Sequence, residues 1–157
     1  MPIETFSANR ELVRALNSNG ARYLVVGGSA TKYYVPDRPT EHANELDLLV
    51  EKTVPNIEKV LAALQSIGYW HPDYTVERLV KPGWTRLPVD NGSLYADILT
   101  PDEAEDVAGY WQRARDETIG HMSVKVISNE DQQARLARSE LEKHKRDIEL
   151  LKAAQRK

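Results

Sequence analysis

An α/β fold, with a mixed β-sheet flanked by helices and finished by a C-terminal helix, is what the sequence predicts, and three stretches predict it. Tyr23-Leu-Val-Val26 is a short apolar run, the pattern of a buried strand, and it passes through Gly27-Gly28-Ser29 into a helical segment. Glu45-Leu-Asp-Leu-Leu-Val50 is a second strand, with Glu45 and Asp47 at alternate positions. From Thr53 to Gly68, the residues Ile57, Val60, Leu61, Leu64 and Ile67 fall on one face of a helix, which sets up the strand-helix-strand order of a mixed sheet. A chain of 157 residues is long enough for one well-buried domain and too short for two comfortable ones, so a single domain over residues 1–157 is expected.

In chain order, Leu12, Val13 and Leu16 predict a helix from Ser7 to Asn19, with Ser7 as its N-cap and Gly20 ending it. The first strand spans Arg22 to Val26, and a short helix from Ser29 to Tyr34 stops before Pro36. Asp37 to Asn44 is polar, contains Pro39 and reads as a loop. Beyond the scaffold helix, Thr75 to Lys81 alternates well enough for a strand. Arg86 to Val89 and Leu94 to Leu99 flank the turn signal Asp90-Asn91-Gly92 and read as an antiparallel pair. Thr100-Pro-Asp-Glu103 is a capping box opening a helix with Ala104, Val107, Ala108 and Trp111 on its inner face, which explains Asp102, Glu103, Glu105 and Asp106 as helix-terminus acids. His121 to Ile127 alternates as a strand. Ser128 and Asp131 cap one final helix, striped by Ala137, Leu141, His144, Ile148 and Leu151.

Composition narrows the function classes. With 41% hydrophobic and 29% charged residues the chain reads as an ordinary globular protein, and the lack of cysteine excludes disulfides and thiolate metal sites. No apolar run approaches the length of a membrane span and the N-terminus lacks a signal-peptide layout, so no membrane partner and a cytoplasmic location are expected. A net charge of −3 argues against a broad nucleic-acid surface and slightly favours small-molecule or protein partners over nucleic acid.

The chemistry concentrates in the first two strands. Side chains alternate along a strand, so Glu45 and Asp47 leave one face and Leu46 and Leu48 the other. Two such acids repel unless a proton or a cation lies between them, and Mg²⁺ takes one or two carboxylates while leaving positions for substrate phosphates. Upstream, Gly27 and Gly28 allow close backbone approach at a helix N-terminus, where unpaired amides favour an anion, and Ser29 adds a hydroxyl. Arg38 is the loop residue able to pair with a triphosphate, though a solvated loop arginine is the plainer reading, and His42 is expected to face solvent. Asp97 shares a strand face with Tyr95 and Leu99, where an acid is costly unless it is paired, with Arg86 across the sheet as a candidate partner, or bound to a metal. Trp70, Tyr74 and Trp84 could stack a base, but packing is the commoner role of such rings.

Val26-Gly27-Gly28-Ser29 followed by Glu45-Leu46-Asp47-Leu48 resembles the signature of the nucleotidyltransferase fold of the polymerase-beta superfamily. Within it the chain is most similar to small stand-alone bacterial transferases, including toxin and antitoxin components related to the AbiEii group. Arg38-Pro39-Thr40, Asp97-Ile98-Leu99-Thr100, Ser128-Asn-Glu-Asp131 and Arg146-Asp147 carry the rest of the resemblance, which covers nearly the whole chain. It implies transfer of a nucleoside monophosphate from an NTP to an acceptor hydroxyl in RNA, protein or a small molecule, with release of pyrophosphate. Glu45, Asp47 and Asp97 would be the catalytic and metal-binding acids for Mg²⁺ or Mn²⁺. Gly27, Gly28, Ser29 and Arg38 would bind the nucleotide phosphates, and a cognate toxin or antitoxin would be a protein partner. The sequence departs from the pattern in having Glu45 where aspartate is usual and about three extra residues between Thr40 and Glu45. Those departures suit the alternative, a catalytically inactive nucleotide- or partner-binding module of the same fold.

Overall fold

The computed structural model describes residues 7–38, 46–87, 96–119 and 121–157. Its centre is a six-stranded mixed sheet formed by β1 (Tyr23–Val26), β2 (Leu46–Val50), β3 (Gly83–Leu87), β4 (Ala96–Thr100), β5 (Arg115–Ile119) and β6 (Met122–Val126), in the order β3-β4-β2-β1-β6-β5. β1 pairs antiparallel with β2 and parallel with β6, β2 runs parallel to β4, and the two edges are the antiparallel pairs β3/β4 and β5/β6. The chain is therefore α/β, with helices flanking a mixed sheet and a helix at its C-terminal end.

The inner strands are apolar because helices cover them. All four residues of β1 are buried, and Leu46, Leu48, Leu49 and Val50 of β2 are fully so. Helix α1 (Ser7–Ser18) contributes Leu12, Val13 and Leu16 and packs on α3 (Val54–Ser66) and β6, while α3 contributes Ile57, Val60 and Leu64. Each such side chain adds about 1.5–3 kcal/mol by leaving water. Thr53 caps α3 by accepting from the Asn56 amide, and Pro55 sits in its first turn. Asn56 itself bonds the amide and carbonyl of Arg22 and the carbonyl of Glu51, which fixes the start of β1 beside the end of β2. Among the described residues no helix is long and apolar enough to cross a membrane.

The structure corrects three element assignments and adds one strand that the sequence did not signal. Thr75 to Lys81 is not a strand: Thr75 caps the four-residue helix α4 (Val76–Leu79), whose buried Leu79 anchors it to the core. So short a segment satisfies a two-residue and a helical period equally well. The Thr100 capping box does not form, because Thr100 completes β4 and its hydroxyl donates to the Leu79 carbonyl at 2.7 Å. Asp106 takes the role instead and caps α5 (Val107–Arg113), while Asp102 and Glu105 pair with Arg138 and Arg135. Of the acids assigned to that helix terminus, Asp106 is the one that caps it.

β5 carries the polar sequence Arg-Asp-Glu-Thr-Ile at a sheet edge, too polar to signal a strand by itself. The predicted final helix is two, α6 (Asn129–Leu136) and α7 (Glu142–Gln155). Ala137 and Leu141, expected on a packed stripe, are exposed in the connection between them. The break lets α7 fold back, with Asn129 donating to the Leu151 carbonyl and α7 packing on α6 and α2 (Gly27–Tyr34). The turn signal at residues 90–92 lies outside the described residues.

Candidate functional site

The topology turns two separated sequence positions into neighbours. Asp47 on β2 is in register with Asp97 on the parallel strand β4, and the row continues to Arg86 on β3 and Val26 on β1. Residues directly opposite on adjacent strands project from the same face, about 4.8 Å apart in the hydrogen-bonding direction. Asp47 and Asp97 thus stand side by side where β1 ends and α2 begins.

The glycine turn is shaped around Asp47. Gly27 has φ +64°, a left-handed conformation favouring glycine, and a Cβ added there would lie 2.5 Å from Asp47 Oδ2 and 2.8 Å from its Cγ. The Ser29 hydroxyl donates to the Val26 carbonyl at 2.9 Å and accepts from the Asp47 amide at 3.3 Å, stitching turn and acidic strand together. Val26, the residue before α2, offers no side-chain cap to the first turn of that helix. Gln132, fully buried on α6, donates to the Gly27 carbonyl at 2.8 Å and to Thr31 Oγ1 at 3.1 Å, which fixes the turn from the opposite side. Its Oε1 has no hydrogen-bond partner among the described residues.

Both candidate arginines form forked ion pairs. Arg86 reaches Asp97 with Nε at 3.0 Å and Nη2 at 3.1 Å, so the cross-sheet salt bridge weighed for Asp97 is present. A carboxylate has about four lone-pair positions, so the fork leaves acceptor capacity on Asp97. Arg38 binds Asp147 of α7 through Nε at 2.8 Å and Nη2 at 3.0 Å, in a pair whose side chains are 17% and 8% exposed. Its Nη1 lies 3.1 Å from where a Gly28 Cβ would stand, so the guanidinium rests against the glycine turn, and Lys32 secures the approach by donating to the carbonyls of Pro36 and Arg38. Beside this pair, burial pushes the His144 imidazole below its usual pKa, with Lys143, Arg135 and Arg38 adding to the effect against Asp147, and its buried Nδ1 has no partner among the described residues.

Of the residues singled out in the sequence, Gly27, Gly28, Ser29, Asp47, Asp97 and Arg38 come together around the β1–α2 turn, whereas Glu45, with Pro39, Thr40, His42 and Tyr95, lies outside the described residues. Trp70 and Trp84 are exposed rather than packed, at 65% and 64%, and Tyr74 is buried. An open cleft of about 290 Å³ on the α3 side, lined by Leu61, Leu64, Gln65, Tyr69, Trp70 and Tyr74, contains none of these acids. Sequence reasoning missed Gln132, which carries no local signal of its bond to a residue 105 positions away. It placed Asp147 in a motif without its partner. Among the described residues no group of three or more His, Asp or Glu side chains is arranged to hold a metal ion.

The arrangement provides two hard oxygen ligands side by side, a turn closed tightly over one of them, and a helix whose N-cap residue, Val26, offers no side-chain hydrogen bond. In comparisons with known proteins the chain matches no family model, no curated protein and no solved structure.

Proposed function

We propose that this chain is a metal-dependent nucleotidyltransferase with the nucleotidyltransferase fold, moving a nucleoside monophosphate from an NTP to an acceptor hydroxyl. One observation supports it most: Asp47 and Asp97 are in register on adjacent parallel strands, with Asp47 packed against a left-handed glycine that opens a helix. The residues fit Mg²⁺ or Mn²⁺, since paired carboxylates are hard oxygen donors and their repulsion is relieved by a cation. Asp47 and Asp97 would hold the ion, with Glu45 as the third acid implied by the sequence. When bound, it would neutralise charge on the transferring phosphate.

The chain's own groups have distinct parts to play. Gly27 keeps the space that the Asp47 carboxylate occupies, and Ser29 fixes the β2 backbone at Asp47. The first amides of α2, with Gly28 among them, favour the phosphate end of the nucleotide. Arg86 holds Asp97 in orientation, and Asp97 would take the proton of the attacking hydroxyl through its remaining acceptor capacity. An acceptor oxygen to α-phosphorus bond forms, the bond from α-phosphorus to the bridging oxygen breaks, and pyrophosphate leaves. The acceptor hydroxyl belongs to RNA, protein or a small molecule, with the chain acting alone or as half of a toxin-antitoxin pair.

A second reading, a catalytically inactive nucleotide- or partner-binding module, is favoured by the two ion pairs: Arg38 is engaged by Asp147 and Asp97 by Arg86. One experiment separates the two. The purified chain is incubated with each α-labelled NTP and Mg²⁺ or Mn²⁺, with total tRNA, cell lysate or no acceptor. The transferase reading expects a labelled product that disappears in Asp47→Asn while folding stays near wild type. A folded wild-type chain that labels nothing refutes it, and retained nucleotide binding then favours the inactive module.

A further inference from the structure

We infer that Trp84 is the nucleobase-stacking platform of this site, an inference that rests on the nucleotidyltransferase reading and extends it to how the base is held. Trp84 lies two residues before Arg86 on β3, so by strand alternation its side chain leaves the same sheet face as Arg86, Asp97 and Asp47. It stands about 7 Å along the strand from the carboxylate row and about 5 Å across from β4, where it is in register with the half-buried Leu99. Through Leu99 and Leu49 it is level with Leu24, on the side of the carboxylate row away from the start of α2, so a ligand whose phosphates meet the acids would carry its base back across β4 and β3 to reach it.

The indole is 64% exposed, although an apolar ring of this size ordinarily packs. It is supported from one side: the Arg86 guanidinium, itself held by Asp97, lies 5.8 Å from its centroid. The two remaining tryptophans do not share this setting. Trp70 lines the α3 cleft, and Trp111 is half-buried with Arg22 and Lys125 over its ring. Trp84 alone of the three is both exposed and carried on a strand of the carboxylate row. An exposed π-face beside a fixed cation binds a base without reading its identity, and it suits a chain of net charge −3. The base belongs either to the NTP or to the acceptor.

The test is calorimetric titration of the full chain, as wild type, Trp84→Ala and Trp84→Phe, with each MgNTP, with magnesium tripolyphosphate, and with a short single-stranded oligoribonucleotide. Trp84→Ala should weaken the nucleotide or the oligonucleotide by about 5- to 150-fold, Trp84→Phe should retain most of the binding, and tripolyphosphate should be unaffected. Whichever ligand loses affinity identifies the source of the base. Thermal unfolding of the variants should match wild type, because the ring is largely outside the core. Unchanged affinity for both base-containing ligands overturns the inference while leaving the transferase reading standing, as does an equal loss for tripolyphosphate. A wild-type chain that binds none of these ligands overturns both.

Discussion

Replacing Gly27 by alanine tests whether the turn is built around Asp47. Two costs add at this position. An L-residue held at φ +64° costs about 1–2 kcal/mol, and a Cβ placed 2.5 Å from Asp47 Oδ2, 2.8 Å from Cγ and 2.9 Å from Cβ forces a shift of the order that overpacking makes cost about 1–3 kcal/mol. Gly68 isolates the first cost, since it has φ +83° and nothing within 4 Å of the equivalent position. Urea unfolding at constant m should therefore show Gly27→Ala losing about 2–5 kcal/mol and Gly68→Ala about 1–2 kcal/mol. In a double-mutant cycle, Asp47→Ala removes the two carboxyl atoms that clash, so part of the Gly27→Ala penalty should be recovered. Equal losses at Gly27 and Gly68, or strict additivity with Asp47→Ala, would show that the close approach has no energetic consequence and would remove it from the description of the site.

Two further outcomes are expected. Asp147→Ala leaves the Arg38 guanidinium without its forked partner in a mostly buried pocket, and should cost about 3–5 kcal/mol in urea unfolding; Arg38→Met combined with Asp147→Leu should recover most of that loss. The pH dependence of stability should carry a His144 contribution: its folded pKa is depressed, so below the ordinary value of 6.5 the unfolded chain binds a proton that the folded chain resists, and stability falls with pH there. Above that value both states are neutral at this residue and the contribution vanishes. His144→Gln should flatten the decline, and an unchanged profile from pH 5 to 8 would exclude His144 as its cause.

The inner strands and scaffold helices were legible because their signals are local. β1 is a short apolar run, Leu12, Val13 and Leu16 of α1 repeat at helical spacing, and Thr53 with Pro55 marks the start of α3. The misread segments share a different property: their local signals are real but outweighed by partners elsewhere in the chain. Thr100 has the sequence of a cap, yet its hydroxyl is taken by Leu79 and its backbone by β3. Ala137 and Leu141 have helical spacing, yet the burial of Asp147 and Leu151 against α2 and α6 requires the chain to turn between them.

For the candidate site, the sequence by itself determined that a glycine turn follows an apolar strand, that Asp47 alternates with leucines on the next strand, and that Asp97 needs a partner. Period and composition suffice for these statements, since each concerns neighbouring residues. Only the tertiary structure decided that β2 and β4 run parallel with Asp47 and Asp97 in register, that Arg86 is the partner of Asp97, and that Gln132 and Asp147 hold the turn and Arg38 from distant helices. Strand order and register depend on how the whole chain buries its apolar faces at once. Contacts spanning about a hundred residues therefore leave no trace in any local window.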